Sequence, residues 1–153
     1  MNQAEFSRRV LAIEGKLYRV SLCILGREAD ARDATREALC RAWLCQNALK
    51  DASKFEYWLM GLLVDECRRM LRRRKAFPCA PAPEGEGVDL AVREALFSLE
   101  EKLRLPLVLS QVEGYPVEEI AQILKARTAR VESWLRQGTV KLHDLLGERG
   151  EDA

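Results

Sequence analysis

The chain is poor in the groups that catalysis, metal binding and secretion use. It has one histidine, His143, in 153 residues. Acid–base and nucleophilic chemistry draw on convergent polar groups, often histidine among them. No phosphate loop and no metal-ligand spacing appears either, so an enzyme is not expected and no catalytic residue, metal or cofactor is assigned. The five cysteines (Cys23, Cys40, Cys45, Cys67, Cys79) form an odd set without a C-x-x-C pair, and in a reducing compartment they are most simply small hydrophobes. The longest apolar run, Leu59 to Val64, is far too short to cross a bilayer. The opening MNQAEFSRRV has no apolar stretch suited to a secretory signal. These absences lead to the expectation of a cytoplasmic chain without membrane insertion. Strand alternation is missing too, which points to an all-α fold.

What is present is helical periodicity and an uneven distribution of charge. Hydrophobic residues make up 48% and charged residues 32%, enough for a core under a solvated surface. The net charge of +1 conceals two opposed halves: residues 1–75 sum to +6 and residues 76–153 to −5. Much of the positive charge lies in Arg68-Arg69-Met70-Leu71-Arg72-Arg73-Arg74-Lys75, more than a helix end needs to offset its dipole, and suited to phosphate or an acidic partner. Phe6, Val10, Ile13, Leu17, Val20 and Ile24 form one helical stripe, closed by Gly26. A second helix spans about 29–46, its stripe of Ala31, Ala34, Ala38 and Ala42 permitting close approach. Leu39 and Trp43 add apolar area to bury. Ser53 and Glu56 have capping-box spacing and would start a third helix carrying Phe55, Trp58, Leu59, Leu62 and Leu63 inward. Trp58 is expected in the core rather than as a stacking platform, a choice that stays open for Phe55 and Tyr57.

From Ala76 to Val88 the sequence AFPCAPAPEGEGV changes character, with three prolines, two glycines and no period. It predicts an extended linker between two helical domains. Beyond it, Val92, Leu96 and Leu99 resume the stripe. Ser98 and Glu101 again suggest a cap, and Pro106 a shortened or kinked turn before Gly114. The stretch VEEIAQILKARTARVESWLRQGTV (117–140) then predicts two helices around a corner at Lys125-Ala126-Arg127. Ile120, Ala121, Leu124, Val131 and Leu135 face inward. Arg127, Thr128, Arg130, Ser133 and Arg136 lie toward the start of the second helix, the part that a helix-turn-helix presents to base edges.

Taken whole, residues 5–146 resemble an extracytoplasmic-function RNA polymerase sigma factor of the sigma-70 family. The front half resembles region 2 in LYRVSLCILGREADARDATREALCRAW and FEYWLMGLLVDECRRMLRRRK. The back half resembles region 4 in ALFSLEEKLRLPLVLSQVEGYPVEEIAQIL and the helix that follows. The resemblance implies a three-helix region 2 domain over 1–75, a linker over 76–90, and a helix-turn-helix region 4 domain over 91–148. Core RNA polymerase would dock on Asp33, Arg36, Glu37 and Arg41. Lys50, Lys54, Arg68, Arg69, Arg72 and Arg73 would serve the −10 element of promoter DNA. Arg127, Thr128, Arg130, Ser133, Arg136 and Lys141 would read the −35 element. A monomer is expected, with an anti-sigma factor as a further partner. A balanced net charge fits a protein that relies on polymerase and on two modules acting together for affinity.

Several positions depart from the family's usual pattern. Arg36 stands where glutamine is common, Asp65 where asparagine is common, and Lys125 where the corner often has glycine. Glu132 and Trp134 replace residues that are often basic. Two other readings remain open at this point: a stand-alone helix-turn-helix regulator, which leaves the front half unexplained, and a sigma-like adaptor that binds polymerase without directing initiation.

Overall fold

The computed structural model describes residues 1–76 and 90–151; most of the expected linker lies outside the described residues. Helix α1 (Gln3–Leu25) starts where the Asn2 side chain accepts the Glu5 amide at 2.8 Å. It stops at Gly26, whose φ of 81° is left-handed and whose amide donates to the Leu22 carbonyl. Its expected stripe is buried except Val10, which is half-buried. Helix α2 (Glu28–Leu44) turns Ala31, Ala34, Ala38 and Ala42 fully inward against α1 and α3. With side chains this small, the three axes pack closely.

Helix α3 (Phe55–Ala76) follows two short 3-10 turns, Gln46–Ala48 and Ala52–Lys54. The expected Ser53–Glu56 box does not form. Instead the Asp51 carboxylate accepts both the Ser53 amide, at 3.0 Å, and the Ser53 hydroxyl, at 2.7 Å. Those bonds hold the Asp51 carboxyl below its usual range. Phe55 is buried edge-on to Phe6, as its inward position implies, whereas Trp58, expected in the core, is only half-buried.

The back half starts with two short helices, α4 (Leu90–Phe97) and α5 (Glu101–Leu107). No side chain caps α5; the Ser98 hydroxyl turns back to the Glu94 carbonyl at 3.0 Å. Pro106 lies inside α5, where its ring nitrogen cannot donate to the carbonyl four residues earlier. The chain then widens into a π-helical turn, Val108–Val112, and reverses at Gly114. Helix α6 (Val117–Leu124) and helix α7 (Thr128–Glu151) complete the fold. Pro116 sits at the N-cap of α6 rather than in its first turn.

The two halves share one apolar core. Leu17, Leu59 and Met60 of the front belong to the same buried cluster as Leu109, Tyr115 and Ile120 of the back. Helix α3 lies on α6, and α1 lies on α4 and the π turn. Gly26 and Gly61 permit this approach. A β-carbon at Gly26 would stand 2.7 Å from Phe97 Cζ, and one at Gly61 would stand 3.3 Å from the Ile123 carbonyl oxygen. Polar ties close the seam. Arg19 donates from Nε and Nη2 to the two oxygens of Glu113, at 2.8 and 3.1 Å. The Tyr57 hydroxyl donates to the Glu119 carboxylate, a hydrogen bond that pushes the phenol up to about 12. Within the front half, Arg74 reaches the Leu25 carbonyl and the Asp30 carboxylate, tying the end of α3 to α1 and α2.

Candidate nucleic-acid interface

Three surfaces gather the residues that the sequence singles out. The first is the start of α7. Lys125 adopts φ 54° and ψ 45°, and its amide donates to the Ala121 carbonyl, so a left-handed lysine makes the corner where glycine is common. The Arg127 carbonyl then accepts the amides of Arg130 and Val131, which starts α7 abruptly. Val131 anchors the helix in the core. Arg127, Thr128, Arg130 and Arg136 are exposed, and Ser133 is partly so, accepting from Gln137 at 2.9 Å. The Arg130 guanidinium lies 5.8 Å from the centre of the Trp134 ring. Trp134 itself lies at the edge of a cleft with Arg68, Arg72, Glu101 and Leu105, packing on the seam between the halves rather than standing out from the helix. Lys141 lies further along α7 and pairs with Glu100 at 3.4 Å, an exposed contact of little energetic weight.

The second surface is a cavity of about 400 Å³ where the loop before α3 meets α6 and the corner. Lys50, Lys54, Tyr57, Trp58, Leu62, Ile123 and Lys125 are among its walls. Trp58 is half-buried because it lines this space. An apolar wall with three lysines around it, and Asp51 beside them, can hold a flat, partly polar group and its phosphates.

The third is a cleft of about 550 Å³ between α2 and α3, lined by Asp33, Glu37, Glu66, Arg69, Met70 and Arg73. Asp33, Arg36 and Glu37 are exposed along α2, and Arg41 is partly covered. The six cations expected to act together are therefore divided: Lys50 and Lys54 at the cavity, Arg68 and Arg72 at the seam, Arg69 and Arg73 beside α2. Arg68 is also held 3.9 Å from Glu101 of the back half.

Comparison with known proteins agrees with this layout. The family model for sigma-70 region 2 matches residues 10–77, and that for sigma-70 region 4 matches residues 89–142. The chain belongs to the sigma-70 family. A relative is the ECF RNA polymerase sigma factor SigM of Mycobacterium tuberculosis, 27% identical over 141 residues, a match covering 86% of this chain and 72% of SigM. The fold resembles sigma factor RpoE of Bartonella quintana, solved with the anti-sigma factor NepR, at a TM-score of 0.80 and 21% identity over 94% of this chain and 97% of that one. It equally resembles CnrH, solved with the cytosolic domain of CnrY, at a TM-score of 0.80 and 23% identity over 96% of this chain and 90% of CnrH. At such identities the two structures speak to the fold alone.

In this sigma factor of the extracytoplasmic-function type, region 2 falls on α1–α3 and region 4 on α4–α7. Two of its departures from the family pattern meet: Lys125 Nζ lies 3.7 Å from the Asp65 carboxylate across the seam. Among the described residues no helix is long and apolar enough to cross a membrane, and no group of His, Cys, Asp or Glu could hold a metal. Glu66 and Glu113 carry no motif in the sequence, and Glu119 marks only the start of a helix, where the dipole favours anions. Glu66 left a trace, since it falls at an inward position three residues after Leu63 and seven after Leu59. Neither Glu113 nor Glu119 announces its partner, because those partners lie 94 and 62 residues away.

Proposed function

We propose that this sigma factor docks core RNA polymerase on the exposed face of α2, through Asp33, Arg36, Glu37 and Arg41, and directs initiation at promoters read by both halves. Residues 1–75 serve polymerase and the −10 element, residues 91–148 the −35 element, and residues 76–90 link them. At the −35 element α7 enters the major groove by its N-terminal end. Arg127 and Arg130 supply bidentate donors, Thr128, Ser133 and Arg136 reach bases or phosphates, and Lys141 meets the backbone. At the −10 element the cavity beside Trp58 and Tyr57 takes an unstacked base. Lys50 and Lys54 neutralise phosphates there, and Arg68, Arg69, Arg72 and Arg73 extend the basic track. The work is recognition without a catalytic step of its own, and it places the protein where polymerase is, in the cytoplasm. An anti-sigma partner fits the same reading, on the precedent of RpoE with NepR.

The observation that carries this reading is the exposed arginine face at the start of a helix-turn-helix, joined to a region 2 fold in one chain. One geometric consequence follows. Elements at −10 and −35 lie roughly 25 base pairs apart, about 85 Å at the rise of B-form DNA. A compact chain of this size is only about 40 Å across. The halves must part to reach both elements, exposing the seam as they do.

The test is transcription with purified core polymerase on genomic fragments. Fragment-specific initiation that needs this protein, and that falls at least about 30-fold with Arg127→Ala plus Arg130→Ala, is expected if each arginine contributes about 1 kcal/mol or more. Polymerase binding without specific initiation would favour the adaptor reading. DNA binding without polymerase binding would favour the stand-alone regulator.

A further inference from the structure

Glu66 is an unusual residue to find inside a helical core. Its side chain is 2% exposed, yet it carries a carboxylate at an inward position of α3. Its Oε1 lies 3.0 Å from Arg41 Nη1 on α2 and 3.2 Å from Arg69 Nη1 one turn further along α3. Neither guanidinium aims an N–H squarely at it, so Oε1 makes two ion pairs but no aligned hydrogen bond. A carboxylate taken out of water needs a return that simple packing does not require, since an apolar side chain would fill the same space. Both arginines are only partly covered, at 31% and 45% exposure, so their outer edges remain available to partners. They emerge side by side at the α2–α3 cleft: Arg41 from α2, and Arg69 from α3 beside Arg73.

We propose that Glu66 is a positioning residue that holds Arg41 toward core polymerase and Arg69 toward the phosphates of the −10 element. This inference rests on the surface assignments proposed above. A free arginine side chain samples many rotamers, and binding must fix it. Anchored to a buried charge, Arg41 reaches across from α2 to α3 and Arg69 is held along α3, each before its partner arrives. One carboxylate thus serves two recognition roles at adjoining edges of one cleft, and a single substitution there weakens both.

The test uses the full chain and five variants: Glu66→Gln, Arg41→Ala, Arg69→Ala, and each arginine variant combined with Glu66→Gln. Two quantities are measured: affinity for core polymerase, by competition with labelled wild-type protein, and promoter opening at saturating polymerase. Glu66→Gln is expected to lower each by about three- to fivefold, the range of a partly exposed ion pair. The decisive comparison is the double mutant. Glu66→Gln with Arg41→Ala should bind polymerase no more weakly than Arg41→Ala alone, and Glu66→Gln with Arg69→Ala should open promoters no less than Arg69→Ala alone. If Glu66→Gln fails to fold, Glu66→Asp, which keeps the charge but shortens the reach, takes its place in the same cycle. Losses that multiply in the double mutants would show that Glu66 acts only through packing and would overturn the proposal. So would wild-type behaviour of Glu66→Gln while the arginine variants are impaired. If Arg41→Ala and Arg69→Ala are themselves without effect, the surface assignments fail and the proposal falls with them, a pattern distinct from the other two.

Discussion

The front half is basic and built from long helices; the back half is acidic and begins with short ones. Helices α1 and α3 run 23 and 22 residues, whereas α4, α5 and α6 run 8, 7 and 8. The halves are complementary as well as different. Arg19 and Arg68 of the front meet Glu113 and Glu101 of the back, and Tyr57 meets Glu119. The Lys125–Asp65 pair runs the other way. From the sequence, the basic run suits phosphate or an acidic partner. In the folded chain, part of that charge faces the protein's own acidic half. The lesson is that a basic surface on a small multi-part protein can hold a closed form and also bind nucleic acid, with the two uses in competition. On the proposed assignment, DNA that draws Arg68 toward a phosphate would remove it from Glu101.

The largest way to break this complementarity is Arg19→Ala. Glu113 is 3% exposed, so the substitution strands a covered carboxylate, although Arg19 is itself 43% exposed and the loss is moderated by solvent. A destabilisation of about 2 kcal/mol is expected, read from denaturant unfolding, and Glu113→Gln on the same background should recover part of it. Next comes Gly26→Ala. Its left-handed φ and the nearby Phe97 ring both oppose a β-carbon, and a loss of about 1–2 kcal/mol is expected by the same measurement. Lys125→Gly should act in the opposite direction. Relief of the left-handed corner outweighs the exposed pair with Asp65, for a gain of up to about 1 kcal/mol.

The smallest effect is one of pH. Tyr57 is raised to about 12 by its hydrogen bond to Glu119, so the closed form favours the neutral phenol. This contribution is complete below pH 10, the ordinary tyrosine value, and is lost as pH rises from there through about 12. Tyrosinate absorbance should report the shift, and Tyr57→Phe should remove that part of the closed form's pH dependence.

Much of the fold was legible because it is periodic. The alanine stripe of α2, the glycine stop of α1 and the corner at 125–127 are local features, and each is found where periodicity or turn chemistry places it. The exposure of Arg127, Arg130 and Arg136 follows from the same period, once Val131 faces inward. The caps were less legible. Asp51 and Ser53 both offer an oxygen near the start of α3, and the choice between them depends on the preceding 3-10 turn, which no period announces. Trp58 lies on an apolar stripe, but the stripe is wider than the core it covers, so the indole lines a cavity instead. The seam was the least legible part, because its pairs join residues far apart in the chain.

The most direct measurement is the distance between the halves, by energy transfer between labels at positions 11 and 140, both exposed. It is read in the free protein and again in holoenzyme bound to a promoter. The account predicts high transfer in the free chain and its loss in the promoter complex, where the halves reach elements about 85 Å apart. High transfer retained in a complex that initiates transcription would contradict it.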